Sequence, residues 1–358
     1  MTSESQDASA AAGDASAASS GGAAAAQTRR ARAGVLGASH WHAPLYRGAL
    51  LRRHDVVAVQ DADPTAVASP DAWGVPVTTD VDAVLARTDL DVVYVFSPHD
   101  EMAAVCHRLI DRGIPFVVEK PLGVSSAELL GVAEAARAAG VPATVPLVQR
   151  DAPVETWLRQ VGAITYERLS FLAGPPSRYR ANGNPWMLDP ARAGGGALVN
   201  LAPHFIDLAL RHLGPSTLSA LTRSSALHGE RVEDHATVVL TSASGGEAII
   251  EVGYTFPSSP LQRYCSFSAA GEHGFASVDT DGTARFTGHD GRTITETIVV
   301  DSDPLYAVFV DRVADALDSG FAGLSTLDEL AAAMEVVWAD SRSAPASPLP
   351  SATEGPAA

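Results

Sequence analysis

Between residues 32 and 150 the chain alternates short apolar runs with stretches of helical periodicity, and nothing else in it restricts the fold as strongly. "AGVLG" is followed by a helix through "APLYRGALLRR" and then by the strand "DVVAVQD", which ends at Asp61. A helix near "VDAVLART" precedes "DVVYVFSP", nearly all apolar, as a strand covered on both faces must be. "MAAVCHRLIDRG" has apolar residues at helical spacing, and "IPFVVEKPLG" supplies the next strand and turn. A helix over "SSAELLGVAEAARAAG", with Ser125 as N-cap, and a strand in "VPATVPLV" complete the series. Strands joined by crossover helices predict an α/β domain over 31–150, a Rossmann-type doubly wound parallel sheet.

The pattern changes after residue 150. A short helix around "PVETWLRQ", a strand "ITYERLSFLAG" and a long loop over 175–196 lead into a helix over "ALVNLAPHFIDLALRHLG". Five strands then follow without intervening helices: "TLSALTRSS", "HATVVLTS", "GEAIIEVGYT", "RYCSFSAAG" and "TITETIVV". Two helices, around "PLYAVFVDRVADALDSG" and "TLDELAAAMEVVWADS", end the patterned part. This predicts a second, α+β domain over 151–343 with a mostly antiparallel open sheet. It would bind substrate and carry self-association into a homo-oligomer, a dimer or tetramer. The flanks 1–30 and 344–358, rich in Ala, Ser, Gly and Pro, lack the apolar residues needed to offset ordering entropy and are expected to be disordered tails.

Composition removes several function classes. The net charge is -17 with no concentrated basic stripe, which argues against a nucleic-acid partner. No run approaches the roughly 18 apolar residues of a membrane span. Arg29 and Arg30 are followed by too short an apolar run for a twin-arginine signal. Cys106 and Cys265 form no metal or redox motif, consistent with free thiols in a cytoplasmic protein.

The first strand–helix turn, "GASHWH", sits where a dinucleotide fingerprint belongs. Its three glycine positions hold Gly37, Ser39 and His42. Gly37 suits the tight turn, whereas Ser39 and His42 depart from the pattern. His40, Trp41 and His42 are expected to line the cofactor or substrate side of the cleft. H-x-H alone completes no metal site, and no metal is expected. Asp61 follows Gly37 by 24 residues, the separation at which a carboxylate reaches an adenosine ribose and repels a 2′-phosphate. That favours NAD over NADP; the competing reading is a helix-capping aspartate. Lys120 is the only lysine beside 24 arginines, which points to a site needing a compact, tunable ammonium.

"FVVEKPLG", the strand-end "FSP" and "AGGGALVNLAPHFIDLALRHLG" together resemble the glucose-fructose oxidoreductase / inositol dehydrogenase / rhizopine catabolism (Gfo/Idh/MocA) family of nicotinamide-dependent oxidoreductases. The resemblance spans residues 32–343. It implies that Glu119, Lys120, Ser97 and Pro98 adjoin the cofactor and that Lys120 contacts the reacting hydroxyl. The family's D-x-G-x-H-x-x-D pattern falls on Asn200, Ala202, His204 and Asp207, so His204 inherits proton exchange with the substrate. Asn200 replaces an aspartate; it retains hydrogen bonding and loses the ability to take a proton. Met102 replaces a histidine common in the family. In the loop before the glycines, Arg178, Tyr179, Asn182, Asn184 and Trp186 suit stacking on and hydrogen bonding to a polyol.

The resulting expectation is an NAD-dependent dehydrogenase acting on a secondary alcohol of a sugar, inositol or related polyol. Catalysis would rest on Lys120, His204 and Asn200, with Arg178 and Trp186 contacting substrate. Two alternatives stand beside it: a non-catalytic nucleotide or sugar sensor, and a lyase or glycosidase that oxidises its substrate only transiently.

Overall fold

Six strands form the first sheet, and its interior members are covered on both faces. In the computed structural model, which describes residues 29–257 and 263–339, they are β1 (Arg32–Leu36), β2 (Asp55–Gln60), β3 (Val77–Thr78), β4 (Val92–Val95), β5 (Phe116–Val118) and β6 (Ala143–Thr144). The spatial order β3-β2-β1-β4-β5-β6 is parallel throughout and reverses direction of growth at β1/β4. Every residue of β4 and β5 is buried, as their unbroken apolar sequences require. The crossovers are α1 (Ala43–Arg53), α2 (Val81–Leu85), α3 (His99–Ile110) and α4 (Ser126–Ala139). Ser125 caps α4 through its hydroxyl, which accepts from the Glu128 amide. Most of the tails expected at 1–30 and 344–358 lie outside the described residues.

After α5 (Pro153–Leu158) comes β7 (Ile164–Leu172), an interior strand of the second sheet that has one parallel and one antiparallel neighbour. The stretch 175–196, expected as an extended loop, is instead built of α6 (Arg178–Ala181), a single 3-10 turn at Pro185–Leu188 and α7 (Pro190–Ala193). Proline opens two of these pieces and glycine ends the last, so each stops after about one turn.

α8 (Ala197–Leu213) is central to the second half, and its residues from Ala197 through Ala209 are all buried. Its start is fixed by a close approach: a Cβ on Gly196 would lie 2.1 Å from the Glu233 carbonyl oxygen. The Glu233 carboxylate accepts from the amides of Gly196 (2.8 Å) and Leu198 (3.0 Å), satisfying N-terminal donors of the helix. On this otherwise apolar helix Asn200, His204 and Asp207 form a buried polar stripe at i, i+4, i+7.

The remaining strands are β8 (Ser216–Ser224), β9 (His235–Ser242), β10 (Glu247–Gly253), β11 (Tyr264–Gly271), β12 (Gly274–Asp279), β13 (Thr283–Gly288) and β14 (Thr293–Thr297). Their order is β14-β13-β12-β11-β7-β10-β9-β8, antiparallel except at β7/β10. β12 and β13 were not expected from the sequence, because their buried positions are largely Gly, Ala and Val. The Asp281-Gly282 dipeptide between them is the hairpin signal that marks them. Of the two closing helices, α9 (Asp303–Ala316) returns to pack along α1, tied by ion pairs from Arg52 and Arg53 to Asp311 and Asp315. α10 (Leu327–Val337) packs on α8 and α4.

Candidate active site

At the carboxyl ends of β1 and β4 the chain makes a turn that only glycine fits. Gly37 has φ +79°, and a Cβ there would lie 2.6 Å from both the Phe96 carbonyl carbon and the Ser97 amide nitrogen. Two strand ends thus meet without a side chain between them, the approach a pyrophosphate needs. Asp61, 3% exposed, fastens this turn: one carboxylate oxygen accepts from the Ser39 amide (2.6 Å), the other from the Asp63 amide (2.8 Å). Each oxygen keeps a lone pair for a ribose hydroxyl. The capping role belongs to Asp63, whose carboxylate accepts from the Thr65 amide.

These residues line an outer cleft of about 470 Å³ together with Ser97, Pro98, Trp186 and Arg192. Its acidic groups are Asp61, Asp63, Glu101 and Asp189, and its one cation, Arg192, is already paired with Asp100 (3.1 Å) and Glu101 (2.8 Å). The glycine cradle and the carboxylate placement fit a dinucleotide, and the acidic lining fits one without a 2′-phosphate.

Deeper in, a cavity of about 200 Å³ is lined by Lys120, Asn200, His204 and Arg178 among others. Lys120 is 2% exposed; its ammonium donates to the Asn200 carbonyl (2.8 Å) and to Asn200 Oδ1 (2.7 Å). It lies 5.7 Å from the centre of the Trp41 ring. Burial pulls its pKa down to about 8, and the neighbouring Glu119 carboxylate opposes the shift. The Asn200 amide donates in turn to the Tyr179 hydroxyl (2.7 Å), which also accepts from Arg178 (2.9 Å). His204 is pulled down to about 3, by burial first and by the Lys120 charge second, so its ring is neutral at ordinary pH. Its Nδ1 is buried without a hydrogen-bond partner.

A second network lies behind the lysine. Glu119 Oε1 accepts from Tyr46 Oη (2.6 Å) and from His42 Nδ1 (3.0 Å). Burial and Lys120 hold His42 neutral, so with Nδ1–H given to the carboxylate its Nε2 accepts from the Tyr306 hydroxyl (3.3 Å).

The structure therefore divides the residues expected at one site. Gly37, Ser39, Asp61, Ser97, Pro98 and Trp186 line the outer cleft; Trp41, His42, Lys120, Arg178, Asn182, Asn200 and His204 line the inner cavity. Trp186, expected against substrate, lines the outer cleft and packs on His40 and His99. Glu119 and His40, expected beside the cofactor, line neither. Glu119 is turned toward Tyr46 and His42, and His40 stacks among Trp41, Phe96 and Trp186. Asn184 fastens the covering segment to the first turn, its amide donating to the Ser39 carbonyl (3.0 Å). Met102 is wholly buried in the core. Asp207 holds Arg150 in a two-pronged ion pair and does not reach the cavity. Gln149, Arg263, Asp303 and Tyr306 also line the cavity and were missed; they lie in segments with no local motif to mark them. Among the described residues no group of His, Cys, Asp and Glu is placed to hold a metal ion, and no helix is long and apolar enough to cross a membrane.

Two family models match the chain: an oxidoreductase family with an NAD-binding Rossmann fold over residues 31–146, and the GFO/IDH/MocA C-terminal domain over 159–277. The chain belongs to the GFO/IDH/MocA family. Relatives include a protein named after the oxidoreductase subunit of UDP-kanosamine synthase from Amycolatopsis mediterranei, 32% identical over 52% of this chain and 53% of that protein, about half its length. A D-xylose 1-dehydrogenase (NADP(+)) from Haloferax volcanii is 27% identical over 75% of this chain and 82% of the relative. An inositol 2-dehydrogenase from Rhizobium meliloti is 28% identical over 61% and 67%. Among solved structures, GenD2 from gentamicin A biosynthesis in complex with NAD superposes with a TM-score of 0.71 at 23% identity, over 86% of this chain and 92% of the other. GFO/IDH/MocA membership accounts for the two sheets and for an NAD-binding Rossmann fold over residues 31–146.

Proposed function

We propose that the protein is an NAD-dependent dehydrogenase that oxidises a secondary alcohol of a sugar, inositol or related polyol. The observation that supports it most is the convergence of Lys120, Asn200 and His204 on one cavity next to the dinucleotide turn. Bound NAD supplies a hydride acceptor. The protein's part is to hold the carbinol, move its proton and stabilise the charge left behind.

Asn200 presents no free acid–base group; with both ends of its amide engaged it is a positioning residue that holds Lys120 toward the cavity. The ammonium of Lys120 stabilises a developing alkoxide, an interaction strengthened by exclusion of water. Neutral His204 accepts the hydroxyl proton. A second reading exchanges these roles, and the order of the pKa values favours it: Lys120 near 8 lies closer to working pH than His204 near 3. Preference for NAD over NADP follows from the carboxylates of the outer cleft.

The test is NADH formation by purified protein with a panel of sugars, inositols and sugar derivatives. Net NADH with at least one of them is the expected result. Bound NAD that never accumulates as NADH while substrate is cleaved supports transient oxidation instead, and binding without turnover supports a sensor. The pH profile separates the two role assignments: a rise in kcat through about 8 that vanishes in Lys120→Arg assigns the proton to Lys120.

A further inference from the structure

The inner cavity has a charge balance opposite to that of the chain. Overall the protein carries -17, yet among the described residues the cavity wall holds Lys120, Arg178 and Arg263 against a single acid, Asp303. Asp303 is committed to Arg263, which reaches its Oδ1 at 3.1 Å and the Ser302 hydroxyl at 3.1 Å. Lys120 has Glu119 beside it in sequence. Arg178 has no carboxylate partner among the described residues. Its guanidinium donates to the Gly174 carbonyl and to the Tyr179 hydroxyl. Five N–H donors less these two leaves three for a ligand.

The side chain is also held still, stacked 4.7 Å from the Tyr179 ring centre and 4.9 Å from that of Tyr254. A guanidinium does not shed its proton on burial, so the positive charge stays in the wall. A fixed planar fork with spare donors is the geometry that binds a carboxylate or phosphate through two parallel hydrogen bonds. The pyrophosphate of the dinucleotide is not the partner, since it belongs with the Gly37 turn and Arg178 does not line that cleft.

We propose that the substrate is an anionic sugar or polyol, whose carboxylate or phosphate is bound by Arg178 while its reacting carbinol faces Lys120 and His204. The proposal rests on the dehydrogenase reading for the carbinol but not for the anion. Arg178, Tyr179, Asn200 and Lys120 are joined by successive hydrogen bonds of 2.9, 2.7 and 2.7 Å. The anion and the carbinol are therefore set apart by a phenol and an amide, on different carbons of one molecule.

Calorimetric titration of the NAD-loaded protein with D-glucuronate, D-glucose 6-phosphate, D-glucose and myo-inositol tests this. At least one anionic probe is expected to bind tenfold or more tightly than D-glucose. Arg178→Met should remove that advantage, about tenfold to a hundredfold, leaving NAD affinity and Tm near wild type, and Arg178→Lys should restore part of it. A preference confined to glucuronate identifies a carboxylate, and one confined to glucose 6-phosphate a phosphate. Neutral probes binding as tightly as both anions, or an Arg178→Met loss equal for all probes, overturns the proposal. Should Arg178→Met fail to fold, the wild-type ratio of anionic to neutral binding still decides. NADH is read separately: anion binding without NADH removes the dehydrogenase reading and keeps the anion site, and NADH from neutral polyols alone does the reverse.

Discussion

The outer cleft at Gly37 and Asp61 is shaped mainly by main chain and lined by acids, whereas the inner cavity at Lys120 is shaped by side chains from distant segments and lined by cations. In the outer cleft one glycine and one carboxylate set the backbone path, and Trp186, Asp189 and Arg192 complete the lining from one distant segment. The inner cavity needs β5, α6, α8 and α9 to arrive together before its charge balance exists. A main-chain site tolerates an odd side chain such as Ser39, because its amide and carbonyl, not its hydroxyl, are engaged. A side-chain site changes chemistry with each substitution, as Asn200 illustrates.

The largest effects are expected in the inner cavity. His204→Ala should lower kcat by about 10²–10⁴-fold and Lys120→Met by about 10²–10³-fold, with NAD affinity little changed. Steady-state kinetics and NAD titration check this, and activity within a few-fold of wild type in both variants would put the chemistry elsewhere.

Next comes Gly37→Ala. The left-handed φ and the 2.6 Å approach to Phe96 and Ser97 should cost about 2–5 kcal/mol, seen in denaturant unfolding, together with loss of NAD binding. An unchanged stability would show that the turn can open, and the contrast between the two clefts would weaken.

Asp61→Ala leaves the Ser39 and Asp63 amides without their acceptor, a loss of about 1–3 kcal/mol. It should weaken NAD binding and narrow the gap to NADP. Wild-type protein that binds NADP more tightly would contradict the electrostatic reading of the outer cleft.

Stability against pH probes the inner region without kinetics. Native His99 and His204 titrate near 3 and an unfolded chain protonates them near 6.5, so in this window the unfolded state binds more protons. The contribution of these two histidines is complete above about 6.5 and falls as pH drops toward 3. His204→Ala should make that acid slope shallower. Lys120 acts in the alkaline range: native near 8 against an ordinary 10.5, it adds stability as pH rises between those values. His212, raised to about 9 between Glu155 and Glu167, opposes it there, its contribution being lost as pH rises through 9. Asn200→Asp places a carboxylate against Lys120 and should move any Lys120-dependent limb of the pH profile upward.

The smallest effect belongs to Ser39→Gly. Only its main chain is engaged, to Asp61 and Asn184, so NAD affinity should stay the same or improve and stability should drop by about 0.5–1 kcal/mol. A large loss of NAD affinity would make the hydroxyl a ligand and move the outer cleft toward the side-chain kind.

Much of this was legible before folding. The apolar run "VVYV" needs cover on both faces, the alternation with helices makes the sheet parallel, and Gly37 marks the tight turn after β1, all within local reach along the chain. A lone lysine in "EKP" and the i, i+4 spacing of Asn200 and His204 marked the inner site as well. Other features needed tertiary structure. Glu119 is engaged by Tyr46 and His42, which approach it from α1 and the turn before it. Trp186 meets His40 and His99 because its segment is fastened over the first turn through Asn184. Arg178 becomes a cation without a carboxylate partner among the described residues only when Tyr254 and Tyr179 close around it. Periodicity and turn chemistry are properties of neighbouring residues, so sequence carries them directly. Which polar group meets which, and which is left without a partner, depends on contacts between residues dozens to hundreds of positions apart, and only the packed fold decides those.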